Sequence, residues 1–169
     1  MLRAYQADDA EPLWEALEES RSHLHPWLRH WPSRTSLDEV RIELARLRAQ
    51  WLTRQHLAFG IFDRADQRYL GEAVFHHIEW SVPELSLGYW LRRSAAGHGF
   101  MREALAALSR TGFEEIGALR IEARMNVRND RSRRVVEALG FVHEGTFHSA
   151  ARDAAGELTD VDVFALLKS

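Results

Sequence analysis

Apolar residues recur along this chain at two spacings, and each spacing predicts a type of element. Residues 2–6 read as a short strand. Ala10, Leu13, Trp14 and Leu17 then fall three and four apart, one face of a helix running to about residue 19. Asp8 or Asp9 caps it, with Glu11 at capping-box spacing from Asp8. A second helical stripe of Val40, Leu44, Leu47 and Trp51 follows Ser36-Leu-Asp-Glu39, which has the same box spacing. Between the two, residues 21–34 hold two prolines, three histidines and two tryptophans, and predict an ordered loop with a short helical turn.

The pattern then changes to alternation. Leu57, Phe59 and Ile61 mark one strand, Asp63 to Gln67 a turn, and residues 69–78 the returning strand of an antiparallel hairpin. Residues 84–91 are a third strand. A helix follows from Gly99 to Phe113 with Leu105 and Leu108 inward. Leu119, Ile121, Ala123 and Met125 alternate with Arg120, Glu122 and Arg124 as a half-buried strand. Asn129 opens a helix that ends near Leu139, where Gly140 suits the position just past a helix end. Residues 141–149 and 158–167 make a last hairpin across Asp153–Gly156. The strand–helix–strand unit from 84 to 125 needs a parallel crossover, so the predicted sheet is mixed.

No repeat or linker divides the chain, and 169 residues suffice for one domain, 1–169, with a core of its own. No run of about 18 apolar residues exists to span a membrane. The first residues lack the apolar stretch of a secretory signal, which leaves the cytoplasm as the default compartment. With no cysteine, disulfides, thiolate metal sites and a cysteine nucleophile are excluded. A net charge of −3 argues against broad nucleic-acid binding. That average hides two basic clusters, Arg92, Arg93 and Arg102 in one and Arg128, Arg131, Arg133 and Arg134 in the other. Such clusters in an acidic chain suggest a polyanion bound at one place.

The segment Ala96-Gly-His-Gly-Phe-Met101 joins a strand end to a helix start. Glycine lets backbone approach a ligand closely, and the first N–H groups of a helix have no partner within it. Together they favour an anion. A dinucleotide fingerprint is ruled out by Arg102 in its third glycine position. A P-loop is ruled out because the chain's one lysine is Lys168.

These residues resemble a known family. Leu87-Gly-Tyr-Trp-Leu91, the Gly97–Gly99 loop and Arg102-Glu-Ala-Leu105 look like the acetyl-CoA motif of GNAT acetyltransferases. Asn126-Val-Arg-Asn-Asp-Arg-Ser132, followed by Glu137-Ala-Leu-Gly-Phe141 and Glu144-Gly145, is similar to their second CoA-facing segment. The likeness is to the RimJ/RimL branch, the ribosomal-protein N-terminal acetyltransferases and their relatives, and covers nearly the whole chain. It implies an α/β fold with a mixed, mainly antiparallel sheet of six to seven strands flanked by helices, and a splayed parallel pair binding acyl-CoA. It also implies acetyl-CoA as co-substrate, an amine as acceptor (a protein N-terminus or a small molecule), no metal, no nucleic acid or membrane partner, and a homodimer.

By that resemblance the backbone N–H groups of Gly97, His98, Gly99, Phe100 and Met101 hold the CoA diphosphate, and Tyr89, Trp90, Leu91 and Arg92 lie along its pantetheine arm. Ala96 stands where the family loop usually begins with Gln or Arg. Asn129 matches the family's pantetheine-contacting asparagine and is also a favoured helix cap.

Transfer to an amine needs a neutral nucleophile, a polarised thioester carbonyl and a proton for the departing thiolate. Many of these enzymes carry a tyrosine acid five residues before the Phe of Leu-Gly-Phe, where this chain has Val136, so Ser132 is the candidate acid. Ser86 replaces a glutamate that the branch often carries, which makes Glu84, two positions earlier on the same strand face, the candidate base. His76 or His77 is an alternative, with one ring expected on each face of the strand. Trp27, Trp31, His76 and Asn126 are the candidate acceptor contacts. His23 and His25 lack a convincing third metal ligand and read as a cleft or packing feature. A different acyl donor such as succinyl-CoA, and a CoA-binding sensor without turnover, are the rival readings.

Overall fold

In the computed structural model of the chain, residues 1–28 and 31–168 are described, without the side chain of Pro32. Arg29 and His30, in the middle of the expected 21–34 loop, lie outside the described residues. The elements follow the expected order: β1 (Leu2–Ala4), α1 (Ala10–Leu24), α2 (Leu37–Leu52), β2 (Leu57–Phe62), β3 (Tyr69–Glu79), β4 (Glu84–Leu91), α3 (Phe100–Thr111), β5 (Arg120–Asn126), α4 (Asp130–Glu137), β6 (Val142–Arg152) and β7 (Leu158–Leu167). The strands form one seven-stranded sheet in the order β1-β2-β3-β4-β5-β7-β6. Only β4 and β5 run parallel, which follows from the α3 crossover between them.

Alternation along the strands feeds two cores, one on each face of the sheet. Phe75, Leu85, Leu87, Ile121, Ala123 and Phe164 meet Leu105 and Leu108 of α3 and Val136 of α4. On the other face, Ala58, Phe62, Val74 and Trp90 meet Leu13 and Leu17 of α1 and Val40, Leu44 and Leu47 of α2. Ser36 caps α2 as expected, its Oγ accepting from the Glu39 N–H at 3.2 Å, while Glu39 Oε2 reaches past the cap to accept from the Thr35 N–H at 2.6 Å.

Four sequence expectations need correction. First, α1 runs on to Leu24 rather than stopping near residue 19, because Ser20 and Leu24 extend its buried face until Pro26 ends it. Second, Leu119 lies outside β5 and is 55% exposed. Third, Glu122, on the supposedly wet face of β5, is buried: Arg124 Nε donates to it at 2.5 Å and Arg120 Nη2 at 3.1 Å, so the two arginines fold over their neighbour. Fourth, His76 and His77 do not face opposite sides. The β3–β4 register shifts between His76 and Glu79, and His77 has a φ of 44°. This bulge turns the second ring beside the first, with ring centroids 4.7 Å apart.

Gly71 sits in β3 between Ile61 of β2 and Leu91 of β4. A Cβ there would lie 2.1 Å from the Trp90 carbonyl oxygen and 2.8 Å from Leu91 Cα. Backbone atoms cannot turn aside as a side-chain tip can. Gly71→Ala is therefore expected to cost about 3 kcal/mol, the upper end for overpacking, read as a lower denaturation midpoint with an unchanged slope. A midpoint like the parent's would mean that the strands can separate there freely.

Candidate active site

Strands β4 and β5 pair from Glu84 opposite Arg120 to Leu87 opposite Ala123, and no further. Beyond that point β4 stays on β3 as far as Leu91 opposite Gly71, while β5 stays on β7 as far as Asn126 opposite Val161. The parallel pair therefore opens into a V, and residues 88–91 present a backbone edge without a β5 partner. An extended ligand arm can pair with such an edge as an added strand. A cleft of about 1200 Å³ runs through the opening. Gly97, Gly99, Met101, Arg102, Asn129 and Ser132 line one end, at the start of α3, and His76, Glu84 and Arg124 lie along the strands; His23 and Trp27 also line the cleft.

At the first end, the loop into α3 has the form an anion needs. Gly97 and Gly99 have φ of 85° and 82°, in the left-handed region that glycine enters without strain. A Cβ at either position would meet no protein atom within 4 Å. Among the described residues, no protein acceptor pairs with the N–H of Gly97, His98 or Gly99. The first turn of α3 adds its own unpaired donors. Arg102, Arg131 and Arg134 also line this end. Open space, free donors and cationic side chains at one loop fit a diphosphate group. The V beside them fits the extended arm that CoA carries.

Where arm and gap meet, the phenol of Tyr89 lies 2.5 Å from Ser132 Oγ and donates to the Ser132 carbonyl at 3.1 Å. Burial pushes the Tyr89 pKa up to about 12, offset in part by the bond to Ser132, so the group stays a phenol at neutral pH. Asn129 Oδ1 accepts from the Ser132 N–H at 3.2 Å and so caps α4. This pairing joins β4 to α4, and sequence reading missed it because Tyr89 and Ser132 are 43 positions apart. Its one signal was a hydroxyl-bearing ring among the core-facing residues Leu87 and Leu91 of the strand.

The other candidates divide. Leu91, Met101, Asn129, Trp27, His76, Asn126 and Glu84 line the cleft, and Trp90 edges it from the α1–α2 core. Trp27 is 41% exposed. Asn126 Nδ2 donates to Thr159 Oγ1 at 3.0 Å. Glu84 is held 3.1 Å from Arg120 Nε. His98 and Phe100 pack on each other away from the cleft wall, leaving only their N–H groups for a ligand.

Two side chains are elsewhere. Arg92 reaches Glu19 Oε2 from Nε at 2.8 Å and the Tyr69 carbonyl at 3.2 Å, so it ties β4 to α1 and β3. Trp31 is buried, and its indole N–H donates to Glu72 Oε1 at 2.8 Å, so it is core rather than acceptor wall. His23, on the helical turn added to α1, lines the cleft, and so does Arg124, which sequence reading passed over. The His23 pKa is lowered, first by burial and then by Arg131 and Arg93.

A sheet with one splayed parallel pair, opened beside a glycine-led helix start, is the architecture of an acyl-CoA-dependent transferase. Residues 1–142 match the family model of the Acetyltransferase (GNAT) domain, and the chain belongs to that family of N-acetyltransferases, whose acyl donor is acetyl-CoA. Over 134 residues it is 30% identical to the uncharacterized N-acetyltransferase p20 of Bacillus licheniformis, covering 79% of this chain and 75% of that protein. Among solved structures, the RimL ribosomal L7/L12 α-N-protein acetyltransferase in complex with coenzyme A superposes with a TM-score of 0.93 at 24% identity, over 98% of this chain and 92% of that one. An acetyltransferase from Salmonella typhimurium, described as modifying the N-terminal serine of ribosomal protein L7/L12, gives a TM-score of 0.88 at 25% identity over 99% and 94%. Among the described residues no helix is long and apolar enough to cross a membrane.

Proposed function

We propose that the protein transfers an acetyl group from acetyl-CoA to a primary amine, either a protein N-terminal α-amine or a small-molecule amine, by direct attack while both substrates are bound. The observation that carries this reading is the continuity of the cleft. One cleft joins the open glycine loop, the unpaired edge of β4 and the Tyr89–Ser132 pair to Trp27, His76 and Glu84. A donor held at the loop and an acceptor held beside Trp27 and His76 meet in the gap. Holding the two in register supplies much of the acceleration on its own, as effective molarities of about 10⁵ M or more for oriented groups indicate.

In this reading the N–H groups of residues 97–101 hold the diphosphate, and residues 89–91 align the pantetheine arm. Ser132 donates a proton to the departing sulfur. Glu84, ion-paired with Arg120 at 3.1 Å, lies beside the acceptor. The likeness to a structure described as modifying a protein N-terminal serine supports an N-terminal α-amine as the first acceptor to try.

The test is thiol release from acetyl-CoA against a panel of N-terminal peptides, polyamines and aminoglycosides, beside calorimetry of coenzyme A alone. Binding without release from any amine would favour a sensor. No binding would remove the reading altogether. Within the panel, Asn129→Ala is expected to lower turnover about tenfold while costing about 1 kcal/mol of stability from the lost cap. Turnover equal to the parent's would leave Asn129 a cap only.

A further inference from the structure

The bulge in β3 does more than bend the strand. It sets the imidazoles of His76 and His77 side by side on the cleft wall, with their Nδ1 atoms 2.6 Å apart. Two ring nitrogens at that distance share one proton, so one is N–H and the other a lone pair. When His76 carries that proton, its Nε2 is left as an acceptor.

Nε2 packs close to Gly88: a Cβ built there would lie 3.2 Å from it. Gly88 is the first residue of β4 past the last pair with β5, so Nε2 stands at the apex of the V, on the acceptor side. Among the described residues Nε2 has no protein hydrogen-bond partner. A Cβ at position 88 would press the ring aside by a few tenths of an ångström.

The ring's surroundings keep it uncharged. Burial is the main cause, and His77 on the same strand, His56 before β2 and Arg124 on β5 add to it. The His56 ring stacks 6.1 Å away. Together they lower the His76 pKa to about 4. On β4 the facing groups are Ser86 and Glu84, and the Glu84 charge is engaged by Arg120 at a position still paired to β5. At neutral pH an uncharged His76 with its proton on Nδ1 offers a lone pair at the apex, where Glu84 offers an ion-paired carboxylate four residues away.

We propose that His76 Nε2 takes the proton of the attacking amine, and that His77 is the positioning residue that holds His76 in the required tautomer. This rests on the acetyl-transfer reading. The amine lone pair forms the C–N bond, and the C–S bond breaks with its electrons going to sulfur. One amine proton passes to His76 Nε2 and on to water. The sulfur takes the Ser132 proton, and water restores the Ser132 hydroxyl.

The experiment measures kcat and KM for the amine in His76→Gln, His76→Ala and His77→Phe, with acetyl-CoA binding by calorimetry. His76→Gln is expected to lower kcat/KM by about 10²-fold while acetyl-CoA binding and the melting temperature stay near the parent's. Added imidazole restores part of the rate in His76→Ala. His77→Phe removes one of the groups that depress the His76 pKa, so the acid limb of its rate profile moves up towards the ordinary histidine range. A purely structural role for His77 would not move that limb. Rates within about threefold of the parent in both His76 variants, with no effect of imidazole, would overturn the proposal while leaving acetyl transfer in place. A parent protein that binds acetyl-CoA but acetylates no amine would overturn it together with the reading beneath it.

Discussion

Ser132→Ala is expected to lower kcat for acetyl transfer by about 10²-fold or more, with little change in the affinity for acetyl-CoA. A thiolate leaving into a half-buried gap needs a proton donor at hand. The Val136 position rules out the tyrosine that many relatives use. Ser132 lies in the first turn of α4, where unpaired N–H groups favour developing negative charge. Its hydroxyl is held 2.5 Å from the Tyr89 phenol. With its pKa at about 12, Tyr89 keeps its own proton and acts through Ser132, orienting the hydroxyl. Tyr89→Phe is therefore expected to lose less, about tenfold, because water can replace the second oxygen. The two variants separate the possibilities. An unchanged rate in Ser132→Ala with a collapsed rate in Tyr89→Phe would transfer the acid role to the phenol. Unchanged rates in both would leave the leaving group to solvent. Single-turnover measurement with preloaded acetyl-CoA isolates the chemical step.

What could be read from the sequence, and what could not, follows the range of the forces involved. Period and caps are local, so the element order from β1 to β7, the Ser36 cap and the left-handed Gly140 were all legible. The glycine loop was legible for the same reason, since its chemistry is carried by backbone and needs no distant partner. Three other features depend on groups far apart in the chain. The Trp31 indole meets a carboxylate 41 positions away, which makes it core instead of cleft wall. Tyr89 meets Ser132 through the crossover. Arg92 turns towards Glu19 because α1 packs beside the end of β4. Strict alternation also fails at His76 and His77, since one extra residue in a strand rotates everything that follows it. Three of the arginines taken together as an anion patch line the cleft, while Arg128 pairs with Asp153 at 2.7 Å and Arg133 with Glu137 at 2.8 Å. Charge clustering in sequence pointed to the region of the cleft but not to which of its arginines line it.

Glu72→Gln is expected to stabilise the protein at pH 8 by about 3 kcal/mol more than at pH 5. The Glu72 carboxyl is buried under Tyr5 and Trp31, whose O–H and N–H donate to it at 2.8 Å each. Burial nonetheless dominates those bonds and raises its pKa to about 7. A raised carboxylate pKa means that the folded state binds the proton more tightly. Its contribution is therefore full below about pH 4.5 and is lost as pH rises through 7. Glutamine keeps a carbonyl for the Trp31 N–H and removes the buried charge, so the gap in its favour opens with pH.

His76 titrates in the opposite sense. Its folded pKa of about 4 lies below the unfolded value, so the unfolded chain binds the extra proton between about pH 4 and 6.5, and stability from this group rises with pH over that window. His76→Gln should thus favour folding at pH 5, by about 2 kcal/mol, and be close to neutral at pH 8. The two groups share one strand face four residues apart, about 13 Å along β3, far enough for their effects to add within a few tenths of a kcal/mol. In the parent protein the opposed slopes hide each other between about pH 4.5 and 6.5, and each single variant exposes the other's. Urea denaturation of the parent, both single variants and the double variant at pH 5, 6.5 and 8 measures this directly. A Glu72→Gln difference that stays constant across the range would mean that the carboxyl titrates as in an unfolded chain, and that the Trp31 and Tyr5 bonds outweigh its burial.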